Sequence, residues 1–325
     1  MTLLFDLDEG QLSDRTDVLA VDGVFGVGPN LSHWPGHRTP ARYRHDLSTG
    51  SALLFAADPE RDALLRDVTT VANNHYDTDG VLSVFAVLHP ERALSLAGPM
   101  LDAATAGDFM VVRSEAALRF DAIVMEIGAH PTSPLADDVR GLPSFERWRR
   151  STRWLIERIP ELLRDQGPLE PLWIDAVHAF DATMASFARG RSRMEKRPGS
   201  LAVVDTDHDL DTAAVVTLAQ PCCRILTRTH GPDGVRMRFV HTTHSWFDRV
   251  TPTPRRFDLV AVAERLNEGR APHGPRWIAS EISAPIAELA FGRPVKPAHF
   301  TDSKVGLSPV DDGDACLKMI EAASA

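Results

Sequence analysis

Lysine is scarce in this sequence, and the balance of charge is acidic. Only four of the 35 basic residues are lysine, and the formal net charge is −10. Because the chain carries no excess of positive charge, it lacks the electrostatic field that attracts phosphate backbones and anionic lipids. We therefore expect neither duplex nucleic acid nor a membrane surface as a partner.

Cysteine is scarce as well, since Cys222, Cys223 and Cys316 are the only three. They form neither a disulfide framework nor a CxxC zinc pair. The first residues, "MTLLFDLDEGQL", lack the basic start and apolar run of a secretion signal, and no apolar run reaches membrane-spanning length. We expect a cytoplasmic protein in which Asp and His, rather than Cys, would hold any metal.

Apolar and polar segments alternate in a way that predicts an α/β fold. "TDVLAVDGVFGV" and "VTTVA" are typical of strands, whereas "TGSALLFAADPERDALLRDV" and "VLSVFAVL" are typical of helices. Strands that alternate with helices indicate a mostly parallel sheet, which we place in an N-terminal lobe. In such sheets the functional groups gather at the carboxyl ends of the strands.

The rest of the chain predicts a helical connector and a smaller α+β lobe. "FERWRRSTRWLIERIPELLRDQ" and "PLEPLWIDAVHAFDATMASFARGR" have helical periodicity, and "CRILTRTHGPDGVRMRFVHTT" alternates about a turn as an antiparallel hairpin does. We predict an α/β metal-binding domain over 1–142, the connector over 143–198, and a substrate-covering domain over 199–325. The edge of the C-terminal hairpin could support a homodimer.

The loop "HYDTDG", residues 75–80, concentrates side chains that bind metals. Asp77 and Asp79 are two positions apart after a strand, so both can face one cation, and His75 adds a nitrogen ligand. Gly80 allows a tight exit into the next helix. The alternative is a polar turn that caps this helix, because Asp and Asn favour such positions.

Two other known loop types share part of this pattern. A calcium-binding EF-hand loop that starts at His75 would need Glu at its twelfth place, where the sequence has Ala86, so this interpretation is excluded. "DTDGVL" resembles the nucleophile loop of the haloacid dehalogenase phosphatases, although "NNHY" separates it from the strand. "FDLDEG" is a second partial match to that loop, and Lys296 with the acidic residues of 311–314 would complete the set.

The longer stretch "NNHYDTDGVLSVFAVL" resembles the first motif, HxDxDGxxS, of the DHH (Asp-His-His) phosphoesterase superfamily. The matching residues are His75, Asp77, Asp79, Gly80 and Ser83. The resemblance implies a dimanganese site on the aspartates. "LDAATAGDFMVVRSEAALRF" resembles the segment of that superfamily in which a metal-binding Asp precedes an Arg, which implies Asp108 as a ligand and Arg113 as its neighbour.

The order of the motifs departs from that superfamily. No Asp-His-His triplet and no "GGGH" follows the loop. The nearest match, "DTDHDLD", has Asp207 and His208 but no second histidine. It is either a solvated acidic loop or a second metal site. The upstream stretch "DGVFGVGPNLSHWPGHRTPARYRHDLSTGSALL" instead resembles the third and fourth motifs and contains Asp22, His33 and Asp46. A circularly permuted relative would have this order. "LSHWPG", "HYDTDG" and "AGDF" together also resemble an uncharacterised bacterial protein family.

We therefore expect a divalent-metal-dependent hydrolase, a phosphoesterase that acts on a small anionic molecule or nucleotide with Mn(II), Mg(II) or another divalent ion. The expected catalytic residues and ligands are His75, Asp77 and Asp79. The further expected ligands are Asp108, His33, Asp46 and Asp22, and the expected substrate-binding residues are Asn74, Arg113, His244 and Arg256. Two alternatives stay open: a hydrolase or cyclase acting at a carbon centre, and a non-catalytic binding or regulatory protein.

Overall fold

The computed structural model describes residues 3–12, 14–271, 273–294, 305–311 and 313–324. The chain forms two compact units. The first unit comprises Met1–Ala179 together with the short segment Phe247–Thr251, and the second comprises Phe180–Trp246 and Pro252–Ala325. One five-residue segment from late in the chain is therefore part of the N-terminal unit.

A four-stranded parallel sheet forms the centre of the first unit. Its strands are β1 (Leu4–Leu7), β2 (Val18–Val21), β3 (Asn30–Leu31) and β4 (Thr70–Asn73), in the order β1-β4-β2-β3. Every residue of β2 and β4 is buried, as is expected for parallel strands with both faces covered. The predicted α/β class with a parallel N-terminal sheet is confirmed.

Helices account for most of the rest of the first unit. They are α1 (Ser48–Ala57), α2 (Thr78–Leu88), α3 (Pro90–Ser95), α4 (Ala97–Phe109), α5 (Glu115–Glu126), α6 (Ala136–Val139), α7 (Ser144–Ile156), α8 (Ile159–Leu162) and α9 (Glu170–Ala188), which continues into the second unit. Helix α2 is apolar nearly throughout, and all of its residues except the last are buried. Helix α4 ends where Met110 adopts a left-handed conformation, with φ 53°. The predicted helices in the middle of the chain are confirmed.

A mixed sheet and helices form the second unit. Its strands are β5 (Arg193–Arg197), β6 (Leu201–Thr206), β7 (Arg224–Gly231), β8 (Gly234–His241), β9 (Arg276–Ala279), β10 (Ala287–Pro294) and β11 (Val305–Leu307), and its further helices are α10 (Thr212–Ala219), α11 (Leu259–Leu266) and α12 (Gly313–Ser324). Only β6 and β7 pair in parallel among the described strands of this sheet. Strands β7 and β8 form the predicted hairpin.

The core of the second unit is made of aliphatic and aromatic side chains, among them Phe239, Trp277 and Leu289, packed with residues of α11 and α12. The three cysteines are buried and unpaired. Within the part of the chain that the structure describes, no helix has both the length and the apolar character needed to cross a membrane.

Candidate metal centre

Polar side chains meet where the parallel strands of the first unit end. Asp22 directly follows β2, His33 lies two residues after β3, and His75 lies two residues after β4. Because the strands are parallel, their carboxyl ends share one edge of the sheet. Helix α2 adds Asp79 from its first turn, and helix α4 adds Asp108 from its last turn.

Four of these residues form a buried ligand group: Asp22, His33, Asp79 and Asp108. One ligand atom from each lies within 4.8 Å of the others. Nε2 of His33 is 3.0 Å from Oδ2 of Asp108 and 3.6 Å from both Oδ1 of Asp22 and Oδ2 of Asp79. This nitrogen is buried and makes no well-aligned hydrogen bond to a described residue. We refer to the four residues as the buried group.

A second set of three ligands, Asp22, His75 and Asp77, adjoins the first. Nε2 of His75 lies 3.0 Å from Oδ2 of Asp22 and 2.8 Å from Oδ2 of Asp77. The side chains of His75 and Asp77 are 22% and 31% exposed, so solvent reaches this set. We call it the open group. Asp22 belongs to both groups, with one carboxylate oxygen facing each histidine.

Hydrogen bonds orient both imidazoles with Nε2 toward the carboxylates. Nδ1 of His33 lies 2.6 Å from the carbonyl oxygen of Asp46, and a carbonyl can only accept, so Nδ1 carries the proton. Nδ1 of His75 donates in the same way to Oδ1 of Asn74, at 3.1 Å. A neutral ring of this tautomer has its lone pair on Nε2, as a metal-binding histidine requires.

The N-termini of two helices hold the aspartates of the loop. The backbone N–H groups of Ser48 and Thr49, at the start of α1, donate to Oδ2 and Oδ1 of Asp79, each at 2.8 Å. Asp77 is the N-cap of α2, where its Oδ1 accepts the N–H of Gly80. Helix N-termini stabilise negative charge. Asp77 therefore caps a helix and contributes to the open group at the same time.

Burial and neighbouring negative charges disfavour the ionised form of the buried carboxyl groups. Burial and the neighbouring charge of Asp22 raise the pKa of Asp79 to about 6. Burial and Asp79 raise the pKa of Asp108 well above its usual range, and Asp108 also lies at the negative C-terminal end of α4. Burial opposes charge on Asp22 too, but the two histidines hold its pKa below the ordinary value.

The same contacts act on the histidines. Burial lowers the pKa of both His33 and His75, but the adjoining carboxylates outweigh burial and raise both pKa values well above the usual range. The carboxylates thus favour a positive partner at Nε2, which a proton or a metal ion can provide. Carboxylate oxygens suit both Mn(II) and Mg(II), but imidazole nitrogens suit transition-metal ions, so the residues present fit a divalent transition-metal ion such as Mn(II) better than Mg(II).

The backbone at Asp22 and at Gly80 has features that matter for the two ligand groups. Asp22 adopts a left-handed conformation, with φ 46°, which is uncommon for a residue other than glycine, although Asp and Asn tolerate it better than most. A Cβ atom at position 80 would lie 1.9 Å from Nδ2 of Asn73, so any other residue there would displace the buried Asn73 side chain. The Gly80 predicted to allow a tight exit is therefore favoured by the close approach of Asn73.

Asp46, which was also predicted as a ligand, belongs to neither group. The carboxylate of Asp46 instead accepts the backbone N–H of Thr251 at 2.8 Å and a guanidinium N–H of Arg249 at 2.7 Å. Its contribution to the centre is the backbone carbonyl that receives Nδ1 of His33. In the downstream acidic loop, Asp207 contacts His208 and Arg191, and neither Asp207 nor His208 joins a ligand group among the described residues.

The predicted substrate-binding residues are dispersed. Arg113 is 58% exposed and lies 3.5 Å from Asp102. His244 and Arg256 belong to the second unit, where Arg256 donates to backbone carbonyls, including that of Thr242. The haloacid dehalogenase alternative also invoked "FDLDEG", whose aspartates are Asp6 and Asp8. Asp6 contacts Arg149, and Asp8 accepts N–H groups of the following loop. Lys296, the lysine of that alternative, lies outside the described residues.

Two features of the centre were missed in the sequence. Ser48, the first residue of α1, donates to Asp22 through Oγ at 2.7 Å and to Asp79 through its backbone N–H. The segment Phe247–Thr251, which contacts His33 and Asp46, carries no motif that would have revealed it.

Comparison with known proteins identifies the family. A model described as "Family of unknown function (DUF6687)" matches residues 10–304, and the chain belongs to this family. Searches of curated proteins and of solved structures give no match. Membership in an uncharacterised family was predicted from "LSHWPG", "HYDTDG" and "AGDF", and is confirmed.

Proposed function

We propose that this protein is a divalent-metal-dependent hydrolase that cleaves a phosphoester or phosphoanhydride in a small molecule. The observation that carries the proposal is the position of Asp22 between the two ligand groups, with Oδ1 toward His33 and Oδ2 toward His75. A carboxylate shared in this way suits two adjacent cations. Paired metal sites are a common means of stabilising both the attacking and the leaving oxygen of a phosphoryl group.

The buried group would hold one ion through Asp22, His33, Asp79 and Asp108, and the open group would hold a second through Asp22, His75 and Asp77. When bound, such ions lower the pKa of water and neutralise charge on the phosphoryl oxygens. Manganese(II) is the preferred ion and magnesium(II) the next candidate, because both accept carboxylate oxygens and Mn(II) also accepts imidazole.

The chain's own residues orient ligands and determine access. The carbonyl of Asp46 and the amide oxygen of Asn74 select the histidine tautomers, and the N-terminus of α1 orients Asp79. Since His75 and Asp77 are the more exposed ligands, we propose that substrate approaches on their side. Arg113 is the proposed anion-binding residue in this unit, and its 3.5 Å contact with Asp102 is weak enough to exchange for substrate.

We also propose a circularly permuted relationship to the DHH phosphoesterases. What supports it is that Asp22 and His33 precede the loop in sequence and yet lie beside it in space, as the remaining ligands of such a centre would. The cytoplasmic location and the homodimer stay predictions from the sequence.

The first experiment measures metal. Purified protein should contain stoichiometric Mn, Mg, Fe or Zn by plasma mass spectrometry, and EDTA should lower its melting temperature. Asp79→Asn should lose this metal, whereas Asp137→Asn, at a side chain that is 91% exposed, is the matched control. A metal-free wild-type protein whose melting temperature EDTA leaves unchanged would refute the metal centre and favour the non-catalytic alternative.

The second experiment measures turnover. Metal-loaded protein should release phosphate from at least one member of a panel of nucleotides, cyclic dinucleotides, short oligonucleotides and sugar phosphates. Asp77→Asn and Asp79→Asn should each lower kcat by about a hundredfold or more if the ligands act in the transition state. If the fully metal-loaded protein releases no phosphate from any member of the panel, that result would contradict phosphoester chemistry and favour reaction at a carbon centre.

A further inference from the structure

The segment Phe247–Thr251 is separated in sequence from everything else in the first unit. The chain on both sides of it belongs to the second unit. Its residues nevertheless contact the residues that orient the buried group. We call these five residues the strap.

The strap contacts His33 through both its backbone and a side chain. The N–H of Asp248 donates to the carbonyl oxygen of His33 at 2.8 Å. The ring of Phe247 stacks on the imidazole, with ring centroids 3.7 Å apart and an interplanar angle of 18°. The edge of Phe109 lies on the same imidazole, with centroids 6.2 Å apart. Aromatic rings thus border this ligand and restrict its rotation.

Asp46 anchors the strap and the imidazole together. Its carboxylate accepts the N–H of Thr251 at 2.8 Å and a guanidinium N–H of Arg249 at 2.7 Å, while its backbone carbonyl accepts Nδ1–H of His33. The side chains of Arg249 and Asp46 are only 12% and 19% exposed. Charge-assisted hydrogen bonds in so poorly hydrated a place are stronger than those at a surface.

A half rotation of the imidazole about its Cβ–Cγ bond exchanges the positions of Nδ1 and Cδ2, and those of Nε2 and Cε1. In this centre that rotation would turn the lone pair away from Asp22, Asp79 and Asp108. The Asp46 carbonyl favours one orientation, and the stacked Phe247 ring impedes the movement between the two. Residues that orient a metal-binding histidine in this manner typically raise the metal affinity by about 10–100-fold.

We propose that the strap is a working part of the metal centre, in which Phe247, Arg249 and Asp46 are positioning residues that fix His33 as a ligand and set the affinity of the buried group for a divalent ion. The inference rests on the metal centre proposed above and not on the identity of the reaction. On this proposal, the strap, which lies more than 200 residues after His33 in the sequence, is necessary for His33 to bind the ion.

The test is Mn(II) binding to full-length protein by isothermal titration calorimetry. Phe247→Ala should weaken Mn(II) binding at the buried group, which with four ligands we expect to be the tighter site, by about tenfold or more. Phe247→Tyr should restore most of the affinity because the stacked ring is retained. Val250→Ala is the matched control, since Val250 lies in the strap with its side chain 61% exposed, and it should bind as the wild type does. Equal Mn(II) affinity in Phe247→Ala and wild type would overturn the proposal.

A readout without metal separates this proposal from the hydrolase. In nitrogen-edited NMR spectra of the EDTA-treated wild type, the Nδ1–H signal of His33 should be visible and slow to exchange, whereas in Phe247→Ala it should exchange rapidly. Should Phe247→Ala fail to fold, Arg249→Gln supplies the same comparison, with Arg249→Lys as its partial rescue. Slow exchange in both Phe247→Ala and Arg249→Gln would overturn the strap's role whether or not the protein hydrolyses phosphoesters.

Discussion

Oδ2 of Asp22 lies 3.0 Å from Nε2 of His75, at the ends of the neighbouring parallel strands β2 and β4. The other carboxylate oxygen of Asp22 faces His33. One side chain is thus common to the buried and open groups, and the consequences of replacing it should differ from those of replacing any other ligand.

Asp22→Asn should reduce Mn(II) binding at both groups, whereas Asp77→Asn should affect only the open group. Asparagine tolerates the left-handed backbone that residue 22 adopts, with φ 46°, so the variant changes the ligand with little change in backbone strain. Calorimetry should show two Mn(II) ions in wild type, one in Asp77→Asn and at most one weakly bound ion in Asp22→Asn. Two ions of wild-type affinity in Asp22→Asn would exclude a shared carboxylate.

Asp108→Asn should have opposite effects on the stability of metal-free and metal-bound protein. Burial and the charge of Asp79 raise the pKa of Asp108, so a neutral amide is the easier group to bury there. In EDTA at pH 8 the variant should melt at a higher temperature than wild type. With Mn(II) at a hundred times its Kd, wild type should gain about 2.7 kcal/mol and the variant much less. A variant that Mn(II) stabilises as fully as wild type would rule out Asp108 as a ligand.

Gly80→Ala should damage the loop. The added Cβ would lie 1.9 Å from Nδ2 of Asn73, so the buried Asn73 side chain, whose Oδ1 accepts the N–H groups of Asn74 and His75, must shift. We expect a loss of about 1–3 kcal/mol in the free energy of unfolding and weaker Mn(II) binding. Gly98→Ala is the control, because its Cβ meets no atom within 4 Å and alanine favours a helix. Equal stability of the two variants in urea would contradict the close approach.

The buried His241 of the second unit should make stability depend on pH. Burial and the charges of Arg256 and Arg224 lower its pKa to about 3, below the value near 6.5 of an unfolded chain. The unfolded chain therefore binds the proton more readily between these values. This contribution to stability is complete above pH 6.5 and declines as the pH falls toward 3.

His241→Phe should remove that dependence, because phenylalanine does not titrate and the neighbours Phe239 and Phe257 are aromatic. Between pH 7 and pH 5, wild type should lose about 2 kcal/mol more than the variant. Urea unfolding at the two pH values measures this difference. Parallel loss in wild type and variant would show that the pKa of His241 is not lowered in the folded protein.

Local patterns in the sequence determined the fold class and the chemical character of the loop. The short β-branched run before the loop forms β4, the apolar run after it forms α2, and the alternating stretch around Gly231 and Gly234 forms the β7–β8 hairpin. These elements depend on residues that are close in sequence, so the sequence alone suffices for them. The two-residue spacing also predicted that Asp77 and Asp79 would face one cation with His75, whereas the structure places Asp79 in the buried group and Asp77 with His75 in the open group.

Only the tertiary structure decided which distant residues complete the centre. Asp22 and Asp46 are both aspartates near the ends of local elements, and nothing in their neighbours separates a ligand from an anchor. The parallel sheet brings Asp22 to His75, whereas Asp46 meets Arg249 and Thr251 of the strap. The physical reason is that the role of a carboxylate depends on which partner the fold brings within hydrogen-bonding distance. That partner is set by the order of the strands and by the segment that returns from late in the chain, and both are properties of the whole chain.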